Sequence, residues 1–297
     1  PRHHPQPRRP RPRAASGTPG SRAAAPKHSG TASRRARALR SAWHGPAAPP
    51  VRVLPARVTA GELAAPPGSH AVPVGIDETT ARPLLLDLFG RDTSLLVLGD
   101  GECGKTSLLR LIAAHLAAHH SDDDVVFAVM DPRRGLHGVV PDSHLGGYAH
   151  NATLATRLAG AVAAQLQQRQ DGTAPGDPAD WPHIVLLIDD YDVLTASTQP
   201  LAALQPYLAA GEDLRFHAVV ARRVAGASRG LYEPFLQALR ESGATGLVMT
   251  GDRGEGKLLG DVYARPLPPG RGQWVRRGEP ARLVQTALPV AASEEEP

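Results

Sequence analysis

The chain holds one cysteine, Cys103, in 297 residues, so it can form neither an internal disulfide nor a multi-cysteine metal site. A reducing, cytosolic compartment is the expectation that follows. Aromatic residues are also few, at 4% of the chain. Without a basic stripe in the acidic part of the sequence, that scarcity argues against a nucleic-acid binder. No run of 18 apolar residues occurs that would span a bilayer. The opening stretch, PRHHPQPRRPRPR, lacks the apolar centre of a secretory signal. Residues 1–50 lack acidic residues altogether while carrying 11 Arg and Lys, whereas residues 51–297 set 22 basic against 29 acidic side chains. The formal net charge of +4 thus divides into +11 and −7, and the isoelectric point near 9.6 belongs to the tail.

What is present divides the chain into four. Residues 1–42 are rich in Pro, Arg, Ala and Ser, with too few large apolar side chains to offset the entropy of ordering, and are expected to be disordered. Residues 43–70 form an extended linker. Pro46, Pro49, Pro50 and Pro55 stiffen it, and Val51, Val53, Leu54 and Val58 punctuate it with apolar side chains. Such a strip is suited to lie in a groove, on a neighbouring module or on its own, with a short edge strand as the alternative. Residues 71–290 read as one α/β domain, and residues 291–297 as an acidic tail. Within the domain, short apolar runs at 83–88, 94–98, 125–130, 184–188, 216–221 and 245–250 have strand length, and 105–119, 153–168, 201–208 and 231–240 read as helical. Strands that are apolar on both faces and alternate with helices predict a mostly parallel sheet covered on both sides. Residues 272–276 and 281–287 add two antiparallel strands across a Gly-Glu-Pro turn.

The sharpest local signal is GDGECGKT, residues 99–106, which matches the phosphate-loop pattern at Gly99, Gly104, Lys105 and Thr106. It follows the strand SLLVL and opens an amphipathic helix, the context the pattern requires. Asp100, Gly101, Glu102 and Cys103 complete the loop that would cradle ATP, with Cys103 read as a small buried filler. Lys105 is placed to reach phosphate oxygens, and Thr106 to contact Mg²⁺. A second element, HIVLLIDDYD, buries a strand and delivers Asp189 at its end, where a carboxylate meets the Mg²⁺ shell. Asp190 stands where related ATPases usually carry a water-orienting Glu. It is read either as a catalytic base or as a shortened, structural substitute. The strand FHAVVARR is expected beside it, and Arg222 or Arg223 at its tip is either an arginine finger or sensor, or a solvated pair. Asp131 is expected to cap or pair locally.

GDGECGKTSLLRLIA, VFAVMDPRRGLHG, VLLIDDYDVL, FHAVVARR and GDRGEGKLLGDVYARPLPPGRGQWVRR, in this order, resemble the FtsK/SpoIIIE-type ATPases and most of all the C-terminal ATPase module of EccC, the motor ATPase of type VII (ESX) secretion. The resemblance runs over about residues 36–290. It implies a RecA-like domain that binds ATP and Mg²⁺ and works with other ATPase modules of the motor at the inner face of the cell membrane. Small helical Esx-type secreted proteins are the implied cargo. Asp190 departs from the family's catalytic Glu, and Ala221 and Arg222 from its polar sensor, which leaves hydrolysis open and nucleotide binding on firmer ground. The alternatives are a non-catalytic cargo receptor with structural nucleotide and a double-stranded DNA translocase. The second of these would need a DNA-guiding winged-helix module, which the sequence does not show.

Overall fold

The computed structural model describes residues 53–64 and 70–289, and upstream of them Arg34, Arg37, Ala38, Ser41, Ala42 and Gly45. The described residues fall into two units, divided between residues 51 and 52. In the upstream unit Arg34, Arg37, Ala38, Ser41 and Ala42 are helical and exposed. The rest of the expected tail, and the acidic segment 291–297, lie outside the described residues.

The larger unit begins with β1 (Val72–Asp77), β2 (Pro83–Leu86), β3 (Ser94–Leu98), α1 (Lys105–His119), β4 (Val125–Met130), β5 (Leu145–Ala149) and α2 (Ala152–Gln170). It continues through β6 (His183–Ile188), the single turn α3 (Tyr191–Leu194), β7 (Phe216–Arg222), α4 (Ala227–Gly230), α5 (Pro234–Glu241) and β8 (Thr245–Val248). A small separate hairpin of β9 (Lys257–Leu259) and β10 (Val262–Tyr263) precedes β11 (Arg271–Val275) and β12 (Arg282–Thr286). Among the described residues ten strands share one sheet, in the order β2-β1-β12-β11-β8-β3-β7-β6-β4-β5. From β8 to β5 every pairing is parallel, and from β8 through β11, β12 and β1 to β2 every pairing is antiparallel. β7 is inserted between β3 and β6, and so lies beside the strand that ends at Asp189, as expected for FHAVVARR.

The apolar runs are buried because each strand of the parallel half faces a core on both sides. Leu96, Leu98, Leu186, Ile188, Ala218 and Val220 pack with Ala155, Ala159, Val162 and Leu166 of α2 and with Phe235, Leu236 and Leu239 of α5. Their strand neighbours Leu95, Val97, Val185, Leu187, Val219 and Ala221 pack with Leu108, Leu109, Ile112 and Leu116 of α1. At roughly 1.5–3 kcal/mol for each fully buried large aliphatic side chain, these two layers dominate stability and clamp the C-terminal strand tips in place.

Three departures from the sequence reading have physical causes. The helix expected over 231–240 begins three residues later, as α5, because Pro234 lacks the N–H of a helix interior and instead takes the first helical position. β5 escaped notice because LGGYA has little strand propensity, and is held by pairing with β4. The segment expected as a helix over 201–208 is a 3₁₀ stretch, Ala202–Tyr207, that contains Pro206.

β1 joins the sheet through a close approach. A Cβ on Gly75 would collide with the Gln285 carbonyl oxygen on β12, at a point where the β1–β2 register shifts. Gly75→Ala should therefore lower the melting temperature, with a cost of about 1–3 kcal/mol for forced backbone displacement. Gly160→Ala is the matched control. An added methyl there meets nothing within 4 Å on α2, so helix propensity alone should stabilise by about 0.5–1 kcal/mol. Melts that move in the same direction for both variants would contradict the β1–β12 contact.

Candidate nucleotide-binding site

β3 ends between the tips of β7 and β8, and the loop at 99–106 is fastened to both neighbours. Gly99 N–H donates to the Arg222 carbonyl (3.1 Å), and Asp100 N–H to the Thr250 carbonyl (2.9 Å). The Asp100 carboxylate accepts from Ala225 N–H at 3.1 Å. The loop then curls through two left-handed positions, Glu102 at φ 57° and Gly104 at φ 106°. The second lies in a region that favours glycine and ends directly at α1. Cys103 is buried behind the loop, with its sulfur 3.6 Å from that of Met249, and burial pushes its thiol pKa up. It is packing, as the sequence suggested.

Lys105 is 7% exposed and spans the loop, its Nζ donating to the Asp100 carbonyl at 2.9 Å. Thr106 Oγ1 donates to Asp189 Oδ2 at 2.6 Å, a bond that joins the start of α1 to the tip of β6 across the intervening β7. Asp189 is 2% exposed; burial raises its carboxyl pKa, an effect opposed by the Thr106 hydrogen bond and reinforced by the nearby Asp190 and Asp131 charges. Asp190 N–H donates to Asp189 Oδ1 (3.0 Å), and Asp190 itself sits in the left-handed region at φ 47°.

Sequence reasoning missed the third wall of the site, the loop after β4. Asp131 is fully buried and accepts from Leu136 N–H (2.6 Å) and from the Tyr148 hydroxyl (2.8 Å), which folds residues 131–136 back on themselves. Burial and the neighbouring Asp131 charge raise the Tyr148 phenol pKa, so it remains a donor. Arg110 Nε holds the Gly135 carbonyl at 2.6 Å, and a Cβ on Gly135 would lie 2.8 Å from Thr106 Cγ2 and 3.6 Å from Asp189 Oδ2. The absence of a side chain there keeps the space over the Thr106–Asp189 pair open. Arg133, on the same loop, pairs with Asp190 Oδ2 at 3.0 Å. The sequence signal for this wall was no more than Asp131-Pro132 after a strand.

Arg222 is placed differently from the finger or sensor expected of it. Its side chain is buried, 3% exposed; its Nε donates to the Arg223 carbonyl, and its Nη1 has no hydrogen-bond partner among the described residues. The guanidinium packs where a Cβ on Gly230 would be, beneath α4. Strand alternation accounts for this, since Arg222 is the last residue of β7 and points into the α4 side of the sheet. Arg223 is the accessible one, and its ion pair with Asp192 is long, at 3.8 Å.

The residues present fit a magnesium nucleotide. A hydroxyl and a buried carboxylate converge beside a glycine-bounded loop, and Mg²⁺ is characteristically bound by one or two protein oxygens together with substrate phosphates. Among the described residues no group of three or more His, Cys, Asp and Glu could hold a metal without such help. No helix among them is long and apolar enough to cross a membrane.

No protein-family model matches the chain. It is 40% identical over 258 residues to the ESX secretion system protein EccC of Thermomonospora curvata, a match that covers 84% of this chain and 20% of the relative. With the ESX-4 secretion system protein EccC4 of Mycobacterium tuberculosis it shares 38% identity over 261 residues, 84% of this chain and 21% of the relative. The chain thus spans about a fifth of the length of these two relatives. Among solved structures, the cytoplasmic domain of the T. curvata type VII secretion ATPase EccC superposes with a TM-score of 0.75 at 37% identity, over 85% of this chain and 30% of that one. The T. curvata structure of EccC ATPases 2 and 3 in complex with a signal sequence peptide gives the same TM-score and identity, over 85% of this chain and 47% of that one. Agreement of this extent in sequence and in fold places the chain in the EccC family of ESX (type VII) secretion proteins, among their RecA-like ATPase modules.

Proposed function

We propose that the chain is an ATP- and Mg²⁺-binding module of a type VII secretion motor with weak hydrolytic capacity. The observation that carries this reading is the Thr106–Asp189 hydrogen bond beside the Lys105 ammonium, which assembles the phosphate and metal ligands from two separate strands. Residues 101–106 would receive the phosphates on their backbone N–H groups, since those of Gly99 and Asp100 fasten the loop to its neighbours. Lys105 would exchange the Asp100 carbonyl for phosphate oxygens, and Thr106 and Asp189 would hold Mg²⁺. When bound, the ion would neutralise charge that develops on the phosphoryl oxygens. Asp190 is the weak point. Its carboxylate is one methylene shorter than Glu, and Arg133 holds its Oδ2, so only Oδ1 is left to accept a proton from an attacking water unless that ion pair opens.

The partners belong to the same proposal. A signal sequence peptide is bound by the related EccC ATPases 2 and 3, and by analogy this module would receive a small helical Esx-type protein and act with the other ATPase modules at the inner face of the membrane. The Arg133–Asp190 pair also favours the reading as a cargo receptor whose nucleotide is structural. Steady-state phosphate release by the wild type and by Asp190→Glu decides between the two. Measurable turnover by the wild type is expected if the module is an ATPase. Turnover seen only after the change would establish a site that binds nucleotide and has lost its base.

A further inference from the structure

A cavity of about 310 Å³ opens beside the phosphate loop, and its walls come from three distant parts of the chain. Glu102, Gly104 and Ser107 belong to the loop and the start of α1; Pro269, Gly270, Gln285, Thr286 and Leu288 belong to the C-terminal hairpin; Ala56, Arg57 and Val58 belong to the linker strip. The volume lies at the lower end of the range that holds small ligands, about 300–1,000 Å³.

The strip is seated rather than draped. Leu54 and Val58 are buried, Val58 carbonyl accepts from Leu288 N–H (2.9 Å), and Ala60 N–H donates to the Leu288 carbonyl (2.8 Å). Arg271 Nη2 donates to the carbonyls of Pro55 (2.7 Å) and Leu54 (3.2 Å), while its Nε donates to Gln285 Oε1 (3.1 Å). Gln285 Nε2 in turn donates to the Pro269 carbonyl (3.2 Å), and Gly270 N–H donates to the Cys103 carbonyl (2.8 Å). One chain of hydrogen bonds therefore runs from the phosphate loop, through the Gly270 turn and Gln285, to the backbone of the strip.

We infer that this cavity holds the nucleoside end of the nucleotide and that the linker strip is one of its walls, so that strip docking and nucleotide binding stabilise each other. The inference rests on the nucleotide reading above. Phosphates seated at 99–106 leave the attached sugar and base within reach of Glu102 and Gly104, which line both the loop and the cavity. Apolar Val58, Leu288 and Pro269 suit the faces of a flat base, and the polar groups of Gln285, Thr286 and Arg57 suit its edges and the ribose hydroxyls. Coupling of this kind is reciprocal: if the strip strengthens binding of the nucleoside, the nucleoside holds down the strip by the same factor.

Calorimetry with Mg²⁺ and two probes, ATP and inorganic tripolyphosphate, separates the two claims. Val58→Asp, which puts a charge into the apolar cluster that seats the strip, should weaken ATP about tenfold and leave tripolyphosphate within about twofold. Lys105→Ala should weaken both. A reading independent of any variant comes from trypsin, which has a site after the exposed Arg57. ATP should slow cleavage there severalfold in the wild type, and tripolyphosphate should not. Equal protection by both ligands, or equal losses of both in Val58→Asp, would overturn the role of the strip while leaving the phosphate loop intact. Failure of the wild type to bind ATP at all would overturn both.

Discussion

Replacing Lys105 with alanine should raise the ATP dissociation constant by about tenfold to a hundredfold, because a charge-assisted hydrogen bond to phosphate contributes about 1.5–3 kcal/mol. The ligand-free protein should melt within about 2 °C of the wild type, a shift that corresponds to less than about 1 kcal/mol for a domain of this size. The structure explains the separation of the two effects. Lys105 lies at the mouth of the loop, where its ammonium satisfies one carbonyl, that of Asp100. The apolar residues that hold α1 in place, Leu108, Leu109, Ile112 and Leu116, begin three positions further on. Titration calorimetry and a thermal melt on the same preparation check both halves. An unchanged dissociation constant would mean that nucleotide, if bound, does not use this loop, and a melt lowered by many degrees would mean that the lysine is part of the fold.

Acidification should destabilise the protein between pH 6.5 and about 4, starting above the range in which carboxylates titrate, and the cause lies at the opposite ends of the central strands. His183 opens β6 and His217 lies on β7, with His183 Nδ1 2.8 Å from His217 Nε2 and His217 Nδ1 3.2 Å from the Thr93 carbonyl. A carbonyl only accepts, so His217 carries its proton on Nδ1, Nε2 is the acceptor, and His183 Nδ1–H donates to it. His217 is therefore neutral when the network is intact, and His183 can donate to it in its neutral form. Burial, together with the neighbouring histidine and the charges of Arg215 and Arg169, pulls the pKa of His217 down to about 3. Burial, Arg215, His120 and Arg169 pull His183 down to about 4, against a smaller opposing effect of Asp124. His183 also stacks on Phe89, with ring centroids 4.0 Å apart.

The folded state thus resists protons that the unfolded chain accepts from pH 6.5 downward, so stability is fully present above that pH and is lost as pH falls toward the folded values. The rings share one hydrogen bond, so the first proton dominates. His183 is partly exposed and screened by solvent, so most of the effect rests on His217, which is 1% exposed. Over two pH units the loss should be on the order of 3 kcal/mol, or about 6–12 °C in melting temperature. His217→Gln removes the ring that carries most of the effect, while an amide there can still donate to the Thr93 carbonyl and accept from His183, and it should flatten the dependence over that interval. A slope unchanged by this substitution would assign the acid sensitivity to other groups, of which His115, lowered to about 4 mainly by burial, is the first to test.

The phosphate loop, the helix Lys105–His119 and the strand ending at Asp189 were legible in the residues because each rests on local chemistry. Glycines permit a curl, an apolar run buries a strand, and 3.6-residue periodicity lays one face of a helix on a sheet. That FHAVVARR lies beside the strand ending at Asp189 was also expected, whereas its insertion between β3 and β6 is decided by the sheet as a whole. Other features could not be read locally. Gly135 over Thr106, Tyr148 on Asp131 and Arg133 on Asp190 depend on where a loop with no periodicity folds back. Arg222 shows the same limit: sequence placed it at a strand tip, but only the packing of α4 under Gly230 decided that its guanidinium is buried. The His183–His217 pair and the seat of the linker strip join residues 34 and more than 200 positions apart. The chemistry of each residue is written in the sequence, whereas the contact that gives it a role is set by long-range pairing of strands, whose geometry no short stretch of the chain contains.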